Sequence, residues 1–383
     1  MMLAIVAIAA LLVVYTLALY PVLIALLARI WPAKLQVDPT FEPTVTACIP
    51  VYNAAALIGP KIESLLSQSY PQEKLEIIIY TDGCTDESDV VVRQHMARIP
   101  RLKLVSNPVR AGKPTGLERM RAASTGDVLL MTDVRQVLAP ETLGTLLRVL
   151  SDPSVGTVGG NLLLRGESGP GLYWRYEQWI RNSEAHFRSM LGTLGCLYVV
   201  RKQDVPPIPP DTILDDLWIP MHLRLKGRRL LFCKEAIAYD DAFDDDREFS
   251  RKVRTLGGNC QLLARMPKLA LPFVNPSWFE MWSHKILRLV LPWALLALLT
   301  SSLLGMTEHP LLRVLVLGQA LFYLLAIFGA QAGKLGAFAR TFVILNLATV
   351  VGLWRFCRGT LAVTWVPTPE RGIGSAPPGG AHG

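Results

Sequence analysis

The chain is 383 residues long and 51% hydrophobic, with 39 basic and 31 acidic side chains and a net charge of +8. That length can bury a large core and hold more than one structural unit. The Lys and Arg residues form no dense stripe of the kind a nucleic-acid groove requires. The six cysteines (Cys48, Cys84, Cys196, Cys233, Cys260, Cys357) include no C-x-x-C pair, which sets aside a zinc ribbon and a disulfide framework.

In chain order, Met1 to Ala28 contains no charged residue and is long enough to cross a bilayer. A cleaved signal peptide is the competing reading, but no Lys or Arg precedes the run and the run exceeds a usual signal core, so an anchor is preferred. Arg29 and Lys34 follow, and the positive-inside rule places them and what comes next in the cytoplasm, with the N-terminus outside. From Thr44 the pattern alternates between strand and helix. Val45 to Pro50 reads as a strand, and Ile58 to Ser69 as a helix with Ile62, Leu65 and Leu66 on its apolar face. Leu75 to Tyr80 reads as a strand closed by Thr81-Asp82-Gly83. A helix over Val90 to Ala97, a strand over Leu102 to Val105 and a helix over Thr115 to Ala123 lead to the buried strand Val128-Leu129-Leu130-Met131-Thr132, which stops at Asp133. This alternation predicts parallel βαβ units and an α/β nucleotide-type fold for the first half.

In such sheets ligands sit beyond the carboxyl ends of the strands, so Asp82 and Asp133 are expected to face one crevice. Taken singly, Asp82 also fits an ordinary turn and Asp133 a polar strand end. Arg110-Ala111-Gly112-Lys113 supplies two cations and a glycine, suited to clamping a diphosphate or to a solvated basic loop. Neither G-x-G-x-x-G nor G-x-x-x-x-G-K-[ST] occurs, which argues against dinucleotide oxidoreductases and P-loop NTPases.

Further on, Val155 to Leu164 reads as a strand. Gly171 to Arg188 reads as a helix whose stripe of Tyr173, Trp174, Tyr176 and Trp179 fits core packing better than a sugar platform. Pro206, Pro207, Pro209 and Pro210 impose an extended loop ahead of Asp215-Asp216, a pair that suits a helix cap as well as a site. Asp240, Asp241, Asp244, Asp245 and Asp246 lack the Gly and distal Glu of a calcium loop and read as a solvated turn, with Asp241 a minor candidate near a metal. His186, His222 and His284 are isolated and read as surface or packing residues. Pro276 to Lys285 mixes aromatic and charged residues as an interfacial segment does. Leu287 to Gly305, Leu311 to Ala330 and about Phe338 to Trp354 read as three further spans. Four spans in all leave the C-terminus outside, whereas Arg355, Arg358 and Arg371 favour the inside; a re-entrant or interfacial last run would reconcile the two. The Gly/Pro-rich end from Gly372 is expected to be disordered.

Taken in order, several segments resemble the motif series of the family 2 glycosyltransferases, the group that includes cellulose, chitin and hyaluronan synthases. These are Ile49-Pro50-Val51-Tyr52-Asn53, Tyr80-Thr81-Asp82-Gly83-Cys84-Thr85-Asp86, Gly112-Lys113-Pro114-Thr115, Asp133, Ile213-Leu214-Asp215-Asp216 and Arg251-Lys252-Val253-Arg254-Thr255. The likeness runs from about Val45 to Leu289, includes Gly192 to Arg201 as an acceptor-side strand, and extends to Trp365 to Arg371 as a cytoplasmic tail. Three departures stand out: Ala54 where members often carry Glu, Arg135 where the second D-x-D carboxylate belongs, and Arg251 and Thr255 in place of the Gln and Trp of Q-x-x-R-W.

The resemblance implies a GT-A-like (Rossmann-like) cytosolic glycosyltransferase domain over residues 42–275. Around it lie an N-terminal transmembrane helix over 1–28, an interfacial segment over 276–286, C-terminal helices over 287–356 and a tail over 372–383. It assigns nucleotide binding to Pro50, Tyr52, Asn53, Asp82, Lys113 and Arg254, a divalent cation (Mg²⁺ or Mn²⁺) to Asp133, and the catalytic base to Asp216 with Asp215 beside it. The implied activity is inverting transfer from a UDP-sugar to a growing polysaccharide, by a multi-pass cell-membrane protein with its catalytic domain in the cytoplasm. The implied partners are a nucleotide-sugar donor, a glycan or lipid acceptor and membrane lipid, without nucleic acid. Transfer of a single sugar to ceramide or polyprenyl phosphate is the alternative. A non-catalytic assembly subunit is a third, against which the retention of Asp82, Asp133 and Asp216 speaks.

Overall fold

The computed structural model describes residues 2–165, 172–241 and 245–364. The uncharged N-terminal run forms one helical stretch from Met2 to Ile30, in which α1 (Met2–Val14) passes through a π-helical turn, Tyr15–Leu19, into α2 (Tyr20–Ile30). A helix satisfies its own backbone polar groups, which is what allows such an apolar sequence to lie in lipid.

The sheet domain begins with β1 (Val45–Val51), followed by α3 (Ala55–Leu66) and β2 (Leu75–Asp82). Every residue of β1 and β2 is buried, the condition under which strands carry continuous apolar runs. Next come α4 (Ser88–Met96), β3 (Leu102–Asn107), α5 (Lys113–Ala123), β4 (Val128–Thr132), β5 (Val137–Leu138), α6 (Thr142–Leu150) and β6 (Val155–Arg165). These are followed by α7 (Leu172–Phe187), β7 (Leu197–Arg201), α8 (Asp215–Leu225), β8 (Arg229–Asp241) and α9 (Asp245–Arg265). The strands form one sheet in the order β3-β2-β1-β4-β7-β6-β8-β5. The first four strands are parallel, as the alternation predicts. β7 then enters antiparallel to β4 and pairs Leu197 with Thr132, which brings the Gly192–Cys196 turn to the edge where β2 ends at Asp82 and β4 gives way to Asp133. β8 runs parallel to β6, and β5 closes the far side antiparallel to β8.

β8 corrects one expectation. Asp240, read from sequence as part of a solvated turn, is a buried residue of this strand; Asp241 is exposed, and Asp244 lies outside the described residues.

After α9, α10 (Trp278–Glu280) continues through a π-helical turn, Met281–Ile286, into α11 (Leu287–Gly305). α12 (Pro310–Phe328) and α13 (Gly333–Cys357) follow, joined by a 3₁₀ turn, Gly329–Ala332, with Phe322 edge-on to Phe342 at 5.5 Å. Among the described residues, three helical stretches are long and apolar enough to cross a membrane: Met2–Ile30, Trp278–Gly305 and Pro310–Cys357. The third stretch turns back on itself at Gly329–Ala332, so the two runs expected as separate last spans form the two packed helices α12 and α13. Val6 and Ala9 pack with Leu298 and Leu312, while Tyr20 and Ile24 pack with Ile180 of α7. Of the aromatic stripe of α7, Tyr176 serves this docking, its hydroxyl donating to the Leu17 carbonyl at 2.9 Å, while Trp179 is exposed.

α13 lies on α9 where two glycines let the backbones touch; a Cβ added to Gly352 would stand 2.8 Å from the Gly257 nitrogen. Beyond α13 the chain returns to the sheet domain, with Leu361 against Gly257 and Val363 beside Gly112. Trp365 to Arg371 and the Gly/Pro-rich end lie outside the described residues. All six cysteines are unpaired.

Candidate active site

Asp82 is completely buried at the end of β2, where its carboxylate accepts from the Ala111 nitrogen at 2.7 Å, the Gly112 nitrogen at 2.9 Å and the Tyr80 hydroxyl at 3.0 Å. It is thus the anchor of the Arg110–Lys113 loop. Gly112 has φ +90°, a conformation side chains disfavour, and this explains the glycine directly before Lys113. On the neighbouring turn Asn53, at φ +47°, clamps Thr85: its Oδ1 accepts from the Thr85 nitrogen at 2.8 Å and its Nδ2 donates to the Thr85 hydroxyl at 3.0 Å. The Arg110 guanidinium stacks on the Tyr52 ring, 3.8 Å from its centre. Pro50 is buried in β1 just before this turn. Pro50, Tyr52, Asn53 and Asp82, named from sequence, thus cluster at one end of the crevice.

Lys113 opens α5 and reaches across the crevice. Its Nζ donates to Asp133 Oδ1 at 2.9 Å and to the Gly195 carbonyl at 3.1 Å, and lies 3.7 Å from Asp215 Oδ2. Burial acts against its charge, but Asp133 and then Asp215 outweigh it and hold the ammonium protonated well above the usual lysine range. Among the described residues the Asp215 Oδ2 has no hydrogen-bond donor, and Lys113 is the charge that faces it.

Asp215 and Asp216 occupy the first turn of α8, where the helix dipole favours carboxylates. The cap reading is right about place and wrong about use. The N-cap residue is Leu214, without a side-chain cap, and Asp216 Oδ2 instead accepts from the Gly195 nitrogen at 3.2 Å. Burial, and next the charge of Asp215, push the Asp216 carboxyl up to about 6, against the pull of Lys113, Arg181 and Arg254.

Arg135, in the position of a second metal carboxylate, pairs with buried Asp240, which also accepts from Gln136 Nε2 at 2.7 Å. Lys61, unremarked in the sequence, lies beneath this turn. It is 1% exposed and donates to the Thr132 hydroxyl at 2.7 Å and the Gln136 carbonyl at 2.8 Å, and burial lowers its pKa to about 7. Its only sequence signal is a cation on the apolar face of α3. Arg254 gives its hydrogen bonds to main chain, through Nη2 to Ile213 O at 2.9 Å and Val363 O at 3.4 Å, and so braces the approach to Asp215.

A divalent ion fits this site in a limited way. Asp133 is an oxygen donor with its side chain 38% exposed and only Oδ1 engaged by a described side chain, suited to Mg²⁺ or Mn²⁺ completed by phosphate oxygens. No group of three or more His, Cys, Asp or Glu side chains is placed to hold a metal among the described residues.

An α/β sheet with a glycine–lysine loop at one edge, a strand-end Asp and an acidic helix start across the crevice is a GT-A-like arrangement. Residues 46–199 match the model described as Glycosyl transferase family 2, so the chain carries such a domain. It is 28% identical over 169 residues to an N-acetylglucosaminyltransferase of Mesorhizobium japonicum, covering 42% of this chain and 40% of that protein. It is 26% identical over 209 residues to a beta-monoglucosyldiacylglycerol synthase of Synechocystis sp., covering 51% and 43%. The chain thus spans less than half the length of these relatives. A mannosyltransferase of Pyrobaculum calidifontis, solved with GDP-Man and Mn²⁺, superposes with a TM-score of 0.75 over 93% of this chain and 99% of that one at 22% identity, a likeness of fold.

Proposed function

We propose that the chain is a membrane-bound inverting glycosyltransferase that moves a sugar from a UDP-sugar to an acceptor hydroxyl. The observation that carries this reading is the convergence on Gly195: Lys113 donates to its carbonyl from the nucleotide half, and its nitrogen donates to Asp216 from the acceptor half. Tyr52, Asn53 and Asp82 shape the nucleotide end, Lys113 meets the diphosphate, and Arg254 steadies the loop behind it. A divalent cation, when bound at Asp133, supplies further charge neutralisation at the diphosphate. The acceptor oxygen attacks the anomeric carbon from the side opposite the diphosphate and loses its proton to Asp216. The new glycosidic C–O bond forms as the bond to the diphosphate breaks, and Lys113 stabilises the charge that leaves. A carboxyl with a pKa of about 6 is ionised at neutral pH yet basic enough to accept that proton.

The acceptor expected from the family resemblance is a growing polysaccharide. A membrane lipid is the second reading, supported by the docking of α7, beside the site, onto the N-terminal apolar helix. The relative from Synechocystis is named as a synthase of a glycosylated diacylglycerol. Membranes incubated with labelled nucleotide sugars separate the two: long chains support the polymer reading, organic-soluble label the lipid reading, and consumption of no donor refutes the activity.

We further propose that the catalytic domain is cytoplasmic and that the last helix brings the chain back to that side, because Val363 lies beside Gly112 and Arg355 and Arg358 follow the positive-inside rule there. Labelling of Cys357, which is exposed, by an impermeant thiol reagent from outside intact cells would refute this orientation.

A further inference from the structure

Beneath the turn that carries Asp133 lies a cation with no part in the transfer as proposed above. Lys61 stands on the same face of α3 as Ile58 and Leu65, both fully buried, and is itself 1% exposed. Its ammonium donates to two neutral acceptors, the Thr132 hydroxyl at 2.7 Å and the Gln136 carbonyl at 2.8 Å, and makes no ion pair among the described residues. A lysine buried in this way is costly, and a Met of similar length would fill the same space without removing a charge from water. The use of that charge is therefore sought in what its two partners hold.

Thr132 ends β4, Gln136 directly precedes β5, and both are buried. Asp133, Val134 and Arg135 are all that lies between them, so the two hydrogen bonds of Lys61 fasten both ends of a short turn to α3. From the other side Asp240 of β8 pairs with Arg135 and accepts from Gln136 Nε2 at 2.7 Å. Arg135 is thereby turned toward β8, while the Asp133 side chain stays partly exposed and meets Lys113. Among the charges around Lys61, Asp133 is the one that most favours its protonated form. A lone carboxylate on a turn tied at both ends, with a buried ammonium below it, keeps its direction without a second carboxylate at position 135.

We propose that Lys61 is a positioning residue of the donor site: it closes the Thr132–Gln136 turn from beneath and so fixes the Asp133 carboxylate toward Lys113 and the diphosphate. This rests on the reading of the crevice as a nucleotide-sugar site. Lys61 touches neither donor nor acceptor, and its effect passes through the turn.

The test measures nucleoside-diphosphate affinity by calorimetry, with UDP and with GDP in the presence of Mn²⁺, on the full chain in detergent, beside donor and acceptor KM and melting temperature. Lys61→Met should weaken diphosphate binding roughly tenfold or more and raise the donor KM in step, with the acceptor KM unmoved. Thr132→Val keeps the lysine and removes one of its two ties, and should cost about threefold or more in the same affinity, which Thr132→Ser restores. In the Lys61→Met/Thr132→Val double variant the loss should be close to that of Lys61→Met alone, because both changes undo one clamp. If Lys61→Met does not fold, the Val and Ser variants at position 132 decide. A lysine that only supports the core lowers the melting temperature and leaves the affinity of the folded protein at the wild-type value; that result, or a Thr132→Val variant that binds like wild type, overturns the role of Lys61 and leaves the donor-site reading standing. Binding of neither nucleotide by the wild-type chain overturns the donor-site reading, and the role of Lys61 with it.

Discussion

Lys113, on the glycine loop, and Asp133, at the exit of β4, meet across 2.9 Å, so the positive and negative sides of the donor site are joined by one contact. Lys113 also holds down the affinity of Asp216 for protons. Lys113→Met should weaken UDP binding and raise the Asp216 pKa above its present value of about 6. The acidic limb of the kcat/KM profile then moves to higher pH; an unmoved limb would show that Lys113 and the base are not coupled.

Asp133→Asn keeps the shape and removes the charge. If one carboxylate fixes a divalent ion with no help from position 135, turnover should fall roughly a hundredfold or more, because a charge-stabilising contact of this kind is worth about 3 to 4 kcal/mol. Full activity in the variant, or in wild type treated with chelator, would count against the ion.

Asp216→Asn should lower turnover on hydroxyl acceptors by about a hundred- to ten-thousand-fold while nucleotide affinity stays close to wild type, since a general base acts in the transition state. Asp215→Asn should do less. Stability supplies an independent check. A carboxyl raised from 3.8 to about 6 on folding binds its proton more tightly in the folded state, so its contribution favours the fold at low pH and is lost as pH rises through that window. At pH 7.5 the Asn variant should therefore melt no lower than wild type, and gain on the order of 1 kcal/mol. A helix cap would behave oppositely, with a loss of about 1 kcal/mol on substitution and catalysis preserved.

Arg135 and Asp240 make a separable prediction. Burial raises the Asp240 carboxyl and Arg135 is the main influence lowering it again, so Arg135→Met leaves a buried carboxylate short of its cation. The expected destabilisation is about 3 kcal/mol. Adding Asp240→Asn to Arg135→Met should recover a large part of it, and melting curves of the single and double variants measure the coupling.

The parallel half of the sheet was legible because β1, β2 and β4 are buried on both faces and announce themselves as apolar runs ending at turn residues or Asp. The Gly112-Lys113 pair was legible because a positive φ selects glycine. β8 was not legible. Exposed Lys234 and Glu235 interrupt it, its register against β6 shifts between Gly159 and Asn161, and its end lies in a run of aspartates that looks solvated until Arg135 and Gln136, far away in sequence, are seen to cover Asp240. His284 reads from sequence as an isolated surface or packing residue; it is buried, and its partners Glu177 and Glu184 were not legible because they are brought to it only when α7 docks against the N-terminal helix. Arg254 was expected at the diphosphate, whereas its hydrogen bonds go to the carbonyls of Ile213 and Val363; that grip depends on where the chain goes after its last helix, which local pattern does not encode.

That grip bears on how the protein is made. Val363, which Arg254 holds and which lies beside Gly112, leaves the ribosome long after the sheet domain has been synthesised, and it reaches the sheet domain only when α13 lies in place along α9. On the proposed function, a nascent chain therefore carries an unfinished donor crevice until its final apolar helix is in place, and sugar transfer is expected only from chains in which that helix has packed.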